Sequence, residues 1–219
     1  QRAYHFSREA HCSQKRSEGS PYINHPLAVA YILADMRMDT LSIASGLLHD
    51  TVEDAEVTMD DIKIIFGKEI AFIVKGLTKL AKVEFRTKQE VQAENFRKML
   101  LAMSEDIRVM LIKFADRLHN MRTLQFLPEP KQQRIAAETL EIYAPIANRL
   151  GIGWLKTELE DLSFKYLMPQ LYDDLAKKVA KRREEQEGYI KEVVTLIEQQ
   201  LKEENLPGRV KGRVKHYYG

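Results

Sequence analysis

An all-α fold is predicted by three features of this 219-residue chain. Apolar residues recur at helical spacing through most of it, proline and glycine interrupt that pattern at intervals, and strand-like alternation is confined to the C-terminal end. Hydrophobic residues make up 44% and charged residues 30% of the chain, which is the composition of a folded globular protein. We therefore expect helices joined by short connections, and neither a disordered nor a collagen-like chain.

The predicted helices begin and end at residues with a local reason to do so. Pro26 suits the first turn of a helix, Asp39 or Thr40 can cap the next, and Gly67 can end a third. Pro145 should interrupt the helix that contains it. The predicted spans are Pro26–Met36, Asp39–Val52, Asp60–Phe66, Glu69–Leu80, Gln89–Met103, Asp106–Leu124, Gln132–Leu150, Trp154–Leu167 and Pro169 to about Glu204.

The C-terminal segment differs from the rest. After Pro207–Gly208, the stretch Arg209–Tyr218 (RVKGRVKHYY) is basic, aromatic and roughly alternating, which predicts a strand. A strand at the end of a helical chain indicates that a second, mixed domain begins there.

Charge and cysteine content exclude several classes of protein. Lys and Arg number 34 and Asp and Glu 32, and the formal net charge of +2 does not predict a nucleic-acid or membrane surface. The single Cys12 excludes an internal disulfide framework and indicates a reducing compartment, so we expect a cytoplasmic protein. No apolar run approaches the ~20 residues of a membrane helix, and no signal peptide is recognisable. Because the chain begins with Gln1 rather than Met, we expect an excised fragment.

The segment Gly46–Asp54 (GLLHDTVED) concentrates ionisable side chains directly after an apolar run. Adjacent His49 and Asp50 offer an imidazole nitrogen and a carboxylate oxygen at a predicted helix end. Glu53 and Asp54 each follow one of them by four residues, which stacks the acids above the pair in a helix. By itself the pair is compatible with a metal site or with a chance surface arrangement.

Two distant residues could complete a ligand set. His25 precedes an apolar helical stretch, where a capping or half-buried histidine is the alternative interpretation. Asp116 interrupts the most apolar predicted helix, and a buried carboxylate there needs a cation, a hydrogen-bond network or solvent. Two imidazoles and two carboxylates without a thiolate suit Mn(II), Fe(II), Mg(II) or sometimes Zn(II). Such an ion polarises phosphoryl oxygens and acidifies water, and Glu53 and Asp54 could then orient that water and move protons.

Polar and basic residues near these positions could hold a polyanionic substrate. Asn120 and Thr123 continue the polar face of the helix predicted around Asp116. Arg16, Arg117 and Arg122 could pair with phosphates, and a solvated or ion-paired arginine is the alternative for each.

Several long segments together resemble the hydrolase half of the RelA/SpoT family, and within it the bifunctional SpoT-type enzymes. They are, in order, AHCSQKRSEGSPYINHP, GLLHDTVED, AENFRKM, IKFADRLHNMRTL, ETLEIYAPIANRLGI and KTELEDLSFKYL. The likeness runs over residues 10–219. It implies an all-α, His-Asp (HD) metal-dependent phosphohydrolase domain over residues 1–150. It further implies connecting helices over 151–204 and the first strand of a truncated synthetase domain over 205–219.

The resemblance also implies an activity and a set of site residues. The activity is Mn²⁺-dependent removal of the 3′-pyrophosphate of guanosine tetra- or pentaphosphate (ppGpp or pppGpp), which degrades the stringent-response alarmone to GDP or GTP and pyrophosphate. The implied metal ligands are His25, His49, Asp50 and Asp116; the acids serving the attacking water are Glu53 and Asp54; the substrate-binding residues are Arg16, Ser17, Asn120, Arg122 and Thr123.

The chain departs from the family pattern in the loop that contains Arg16. Ser13 stands where the family often has glycine, and Ser17 and Glu18 stand where many members have Lys-Ser. The Glu18 carboxylate could repel phosphates. In the tail, Arg213 and Lys215 match family residues that bind ATP phosphates, but the family's synthetase acidic residues lie beyond Gly219, so we expect no alarmone synthesis from this chain.

Two alternatives remain at the level of sequence. The first is a catalytically inert regulatory or nucleotide-binding module of a synthetase-dominant relative, which predicts damage at His49, Asp50, Glu53 or Asp54; all four residues are intact. The second is a metal phosphohydrolase for another nucleotide, which would share the metal motif without the flanking likeness. The expected partner is a small nucleotide, not nucleic acid or a membrane. Family membership suggests regulatory proteins, of which the sequence identifies none.

Overall fold

The computed structural model describes residues 1–81, 106–204 and 206–212. Over these ranges the chain is helical. Its β-structure there is one isolated antiparallel bridge between Lys15 and Pro21, and these ranges contain no strand. The α-helices are α1 (Arg2–Ala10), α2 (Asn24–Asp35), α3 (Thr40–Leu48), α4 (Thr51–Asp54), α5 (Met59–Phe66), α6 (Lys68–Ala81), α7 (Ile107–Arg122), α8 (Glu129–Glu138), α9 (Ala144–Arg149), α10 (Gly153–Leu167) and α11 (Pro169–Glu203). A 3-10 turn (Leu124–Phe126) follows α7, and a π-helical turn (Thr139–Tyr143) joins α8 to α9.

The predicted all-α fold is confirmed, with differences at particular elements. Helix α1 was not predicted, and the predicted helix Asp39–Val52 ends instead at Leu48. The predicted helix Gln89–Met103 lies outside the described residues. Residues 209–212 form no strand, and residues 213–219 also lie outside the described ranges, so the strand and the roles of Arg213 and Lys215 stay predictions.

Several helix ends follow directly from local sequence. Asp39 caps α3, because its carboxylate accepts the backbone N–H of Ser42 at 2.8 Å. Thr58 and Asp61 form a reciprocal capping box at the start of α5. Gly67 ends α5 with a φ of 91°, a left-handed conformation that favours glycine. The Asp106 carboxylate accepts the backbone N–H of Arg108 at the start of α7.

The main hydrophobic core surrounds α7. Phe114 and Leu118 of this helix are completely buried, and Leu155 and Leu159 of α10 pack into the same cluster. The cluster also takes residues from α2, α6, α8, α9 and the π-helical turn. A polar residue on α7 is therefore held rigidly, because the rest of the helix is fixed by close packing on several sides.

A second cluster joins α1, α2, α3, α5 and α6, and α2 and α6 contribute buried residues to both cores. Leu48 and Ile62 are completely buried in the second cluster. Gly46 allows α3 to approach α2 closely, because a Cβ at this position would lie 2.5 Å from Cδ1 of Leu33. This close approach brings the N-terminal end of α2 and the C-terminal end of α3 into one neighbourhood.

The π-helical turn lies where Pro145 was expected to interrupt a helix. Proline has no N–H to donate to the preceding turn, and its ring crowds the carbonyl there, so the chain widens before it. The Arg117 guanidinium stacks on the Tyr143 ring at 4.0 Å and donates to the Tyr143 hydroxyl at 2.8 Å and to Glu138 at 3.0 Å. Arg117 thus anchors α7 to the turn, which is the ion-paired alternative given for this arginine from the sequence.

Candidate metal centre

Three of the four predicted metal ligands come together from separate helices. His25 lies in the first turn of α2, His49 follows the last residue of α3, and Asp116 lies on α7. All three are buried, and their ligand atoms lie within 4.8 Å of one another. Nε2 of His25 lies 3.3 Å from Oδ1 of Asp116, and Nε2 of His49 lies 3.9 Å from the same oxygen.

The carboxylate of the fourth, Asp50, contacts both imidazoles. Its oxygens lie 3.0 Å from Nε2 of His49 and 3.5 Å from Nε2 of His25. His49 and Asp50 directly follow the last residue of α3, and the backbone angles of both stay in the right-handed helical region. The Asp50 carbonyl accepts the N–H groups of Glu53 and Asp54 to begin α4.

The protonation of His49 fits a metal ligand. Its Nδ1 lies 2.8 Å from the carbonyl oxygen of Gly46, which can only accept, so Nδ1 carries the proton. In the neutral ring Nε2 is then a lone pair. This Nε2 is buried without a hydrogen-bond partner and faces the carboxylate oxygens of Asp50 and Asp116. A nitrogen lone pair that faces carboxylates in a buried site is a donor set that suits a divalent cation.

Asp116 and His25 are in the charge states that a metal site requires. Burial raises the pKa of the Asp116 carboxyl, but Lys113, whose Nζ lies 2.7 Å from Oδ2, and the two imidazoles hold that pKa well below its usual range. Burial lowers the pKa of His25, and the opposing effect of Asp116 is smaller. At neutral pH the site therefore offers an anionic carboxylate and a neutral imidazole.

Three of the predicted substrate-binding residues also come together. Nη2 of Arg16 donates to Oδ1 of Asn120 at 3.2 Å and to Oγ1 of Thr123 at 3.1 Å. The backbone holds Arg16 in this position, because its N–H donates to the carbonyl of Ser20 at 2.9 Å across a tight turn. A guanidinium is thus held beside the metal ligands by residues from the end of α7.

The other two predicted substrate-binding residues are placed differently. Ser17 is exposed in the same loop as Arg16. The Arg122 guanidinium points to α10, where it donates to both carboxylate oxygens of Glu158 at 2.7 and 3.0 Å. The structure therefore does not bring Arg122 together with Arg16, Asn120 and Thr123.

The two predicted catalytic acids differ in their surroundings. The Tyr22 hydroxyl lies 2.9 Å from Oδ2 of Asp54 and 2.8 Å from Oδ2 of Asp50, and Gln14 donates to the backbone carbonyl of Asp54. Partial burial of Glu53 raises the pKa of its carboxyl to about 7, and the charges of Asp50 and Asp54 act in the same direction. Glu53 can therefore gain or lose a proton near neutral pH.

A comparison with protein-family models shows which family the chain belongs to. The model described as HD domain matches residues 3–153, a range that contains all four predicted ligands. The chain belongs to the HD domain family. Within this HD domain, the predicted ligands lie on α2, at the end of α3 and on α7.

Two proteins are similar in sequence to almost the whole of this chain. It is 53% identical over 220 residues to a GTP pyrophosphokinase of Myxococcus xanthus and 51% identical over 216 residues to the bifunctional (p)ppGpp synthase/hydrolase SpoT of Escherichia coli. These alignments cover 99% of this chain but 29% and 31% of the relatives, so the chain spans about three-tenths of their length. The resemblance to the RelA/SpoT family is confirmed.

A solved structure shares the fold. It belongs to a protein described as a metazoan ortholog of SpoT that hydrolyses ppGpp and plays a role in starvation responses. The TM-score is 0.60 at 25% identity, and the match covers 75% of this chain and 92% of that one. Among the residues that the structure describes, no helix combines the length and apolar character needed to cross a membrane.

Three residues of the site were not recognised from sequence. Lys113 pairs with Asp116, Tyr22 bonds Asp50 and Asp54, and Nδ1 of His119 lies 2.8 Å from Nδ1 of His25. Each lies three residues from a predicted ligand: Tyr22 before His25, and Lys113 and His119 on either side of Asp116. One-turn spacing from a ligand was the signal that could have found them.

Proposed function

We propose that this HD domain hydrolyses the 3′-pyrophosphate of ppGpp and pppGpp, releasing pyrophosphate and GDP or GTP, with Mn²⁺ as the bound cation. The observation that carries the proposal is the unpartnered Nε2 of His49, which faces two carboxylates in a buried site. The printed name of the Escherichia coli relative and the description of the metazoan protein support ppGpp as the substrate.

His25, His49, Asp50 and Asp116 would hold the cation. Two nitrogens and two carboxylate oxygens without sulfur suit Mn²⁺, and the resemblance to the RelA/SpoT family favours it over other divalent ions. When bound, this ion supplies polarisation of a phosphoryl oxygen and lowers the pKa of water. The neighbouring residues of the chain have to orient the reactants and move the protons.

Glu53 and Asp54 are proposed to do this. The oxygen of water bonds to the phosphorus that is attached to the ribose 3′ oxygen. The bond between this phosphorus and the 3′ oxygen breaks, and one proton passes to the departing 3′ oxygen. The Glu53 carboxyl, with a pKa raised to about 7 by burial, is suited to take a proton from water and give it up again. Asp54 is held by the Tyr22 hydroxyl and would orient the water.

The nucleotide is proposed to lie against the loop that contains Arg16. The Arg16 guanidinium is planar and can stack on a base or pair with a phosphate, and Asn120 and Thr123 fix its position. Ser17 is exposed in the same loop and is proposed as a further contact. Arg122 could reach substrate only after its ion pair with Glu158 opens, which costs little for partly exposed side chains.

The organisation of the chain is proposed to follow the family. Residues 1–150 would form the hydrolase domain, 151–204 the connecting helices and 205–219 the start of a synthetase domain. Leu155 and Leu159 of α10 are buried in the main core, so the first connecting helix would be part of the hydrolase domain's packing. We propose a cytoplasmic location, in keeping with the single exposed Cys12.

One observation favours a second candidate, the inert nucleotide-binding module. The Myxococcus xanthus relative, at 53% identity, is named for a pyrophosphokinase and not for a hydrolase. An inert module predicts that ppGpp binds without turnover, whereas the hydrolase releases pyrophosphate.

A turnover assay separates the two candidates. The metal-stripped chain is incubated with ppGpp or pppGpp, with and without Mn²⁺, and pyrophosphate and guanine nucleotides are quantified. We expect pyrophosphate with Mn²⁺ and none with EDTA. D116N should lose both Mn²⁺ binding and turnover. D54N should keep Mn²⁺ binding but lose about a hundredfold or more in the rate of turnover. D60N, at an exposed acid of α5, is the control and should match the unsubstituted chain in both. Binding of both Mn²⁺ and ppGpp without pyrophosphate release would establish the inert module instead.

A further inference from the structure

We propose that His119 is a positioning residue of the metal centre: it accepts the Nδ1 proton of His25 and so holds His25 in the tautomer that presents Nε2 to the cation. The inference rests on the proposed function, because it takes His25 as a ligand. It assigns a role to a histidine that belongs neither to the proposed ligand set nor to the proposed substrate contacts.

The two rings share one hydrogen bond. His119 lies on α7, three residues after Asp116, and its ring centroid lies 4.9 Å from that of His25. The two Nδ1 atoms are 2.8 Å apart. A hydrogen bond between two ring nitrogens contains one proton, so one ring donates and the other accepts.

Cation binding requires that His25, and not His119, donates this hydrogen bond. Nε2 of His25 lies 3.3 Å from Oδ1 of Asp116 and 3.5 Å from Oδ2 of Asp50, which is the side on which the ligands converge. To bind a cation there, Nε2 must be a lone pair, so the proton of the neutral His25 ring must be on Nδ1. The Nδ1 of His119 is then the acceptor, and its own proton is on Nε2.

The opposite arrangement satisfies the same contacts but prevents metal binding. If Nδ1 of His119 donated, His25 would accept at Nδ1 and carry its proton on Nε2, pointing at Asp116. His49 does not have this ambiguity, because the Gly46 carbonyl can only accept. The Gly46 carbonyl fixes the proton of His49 on Nδ1, whereas the proton of His25 is fixed on Nδ1 by the side chain of His119. The tautomer of His119 therefore affects how tightly the cation binds.

The experiment compares two substitutions at the same position. In H119N the amide oxygen can occupy the place of Nδ1 and accept from His25, whereas H119L fills space but cannot accept. Mn²⁺ affinity of the metal-stripped proteins is measured by titration calorimetry and by the EPR signal of free Mn²⁺. We expect the Kd of H119N within about threefold of the unsubstituted chain and that of H119L raised about tenfold or more. H5L, at an exposed histidine of α1, is the control and should not change it.

A second readout separates positioning from catalysis. Turnover of ppGpp by H119L should be recovered in large part at saturating Mn²⁺, because the substitution acts on cation affinity. Equal Mn²⁺ affinity of H119L and the unsubstituted chain would overturn the inference, as would equal losses in H119N and H119L, which would indicate ring packing. If the unsubstituted chain itself bound no Mn²⁺, the proposed function would fail together with the inference.

Discussion

The Arg16 guanidinium and the Asp116 carboxylate are joined through a single side chain, the amide of Asn120. Oδ1 of Asn120 accepts from Arg16 at 3.2 Å, and Nδ2 donates to Oδ1 of Asp116 at 2.6 Å. The amide can therefore take only one orientation, because an oxygen facing the carboxylate would bring acceptors together. The loop proposed to hold the nucleotide and the proposed metal centre thus share one hydrogen-bond chain, although Arg16 and Asn120 are 104 residues apart in sequence.

The hydrogen bond between Arg16 and Asn120 predicts that substitutions at these two residues are energetically coupled. In a double-mutant cycle of R16A and N120A, the free energy of unfolding of the doubly substituted protein should exceed the value expected from additivity by about 1 kcal/mol, because both single changes break the same hydrogen bond. The measurement is urea denaturation of metal-free protein. R16A combined with T157A, on α10, is the control cycle and should be additive. Additivity in the first cycle would contradict the shared hydrogen bond.

Lys113 is expected to stand in for a cation in the metal-free protein. Its ammonium lies 2.7 Å from Asp116, and its side chain is only 22% exposed. K113M would leave the buried carboxylate without its positive partner and should lower the free energy of unfolding by about 2 kcal/mol. Because Lys113 also repels a bound cation, Mn²⁺ should raise the Tm of K113M by more than that of the unsubstituted chain.

The comparison variant for Lys113 is K75M, which removes an exposed lysine of α6. K75M should change the free energy of unfolding by less than about 0.5 kcal/mol and leave the Mn²⁺ effect on Tm as it was. Equal behaviour of the two variants would mean that the ion pair between Lys113 and Asp116 contributes nothing specific.

The sequence predicted the helices well where local signals and core packing agree. Asp39 and Gly67 act at helix ends as their residue types suggest, and Pro145 disturbs its helix. The break after Leu48 was missed, because the apolar periodicity of Asp39–Val52 continues through it. The break lies at His49 and Asp50, whose backbone angles are still right-handed helical, and apolar periodicity does not record so small a change.

The sequence predicted which side chains converge at the candidate site better than it predicted the side chains that surround them. Asp116 was recognisable because a carboxylate in an apolar helix needs a partner. The partners themselves were not, since Lys113 and His119 look like ordinary polar residues until the rotation of α7 is known. Arg122 is the opposite case, because its position in the motif predicted a substrate contact. In the structure it pairs instead with Glu158 on α10, a partner that sequence spacing does not reveal.

Glu53 should make the stability of the metal-free protein depend on pH. Burial raises the pKa of its carboxyl to about 7, against about 4.3 in an unfolded chain, so the folded state holds the proton more tightly. Folding stability therefore falls as the pH rises from about 4 to 7, and E53Q, which cannot ionise, lacks this fall. Relative to the unsubstituted chain, E53Q should gain about 1 kcal/mol between pH 5 and pH 8. This value is smaller than the full pKa shift implies, because water reaches and screens part of the Glu53 side chain. Denaturation curves at both pH values test this, and a constant difference between the two proteins would contradict it.

The Tyr22 hydroxyl should matter for turnover more than for substrate affinity. It lies within hydrogen-bond distance of Asp50 and Asp54, and its ring stacks on His11 with centroids 4.6 Å apart. Y22F keeps the ring and removes only the hydroxyl, so Asp54 should lose its orientation while the loop stays in place. We expect kcat for ppGpp to fall about tenfold, with KM within about twofold, because the lost contact acts on the group that orients the attacking water. Y31F, at an exposed tyrosine farther along the same helix as His25, is the matched control and should leave both constants unchanged. A Y22F enzyme with normal kcat and a raised KM would instead place the hydroxyl in nucleotide binding, which would contradict its assignment to Asp54.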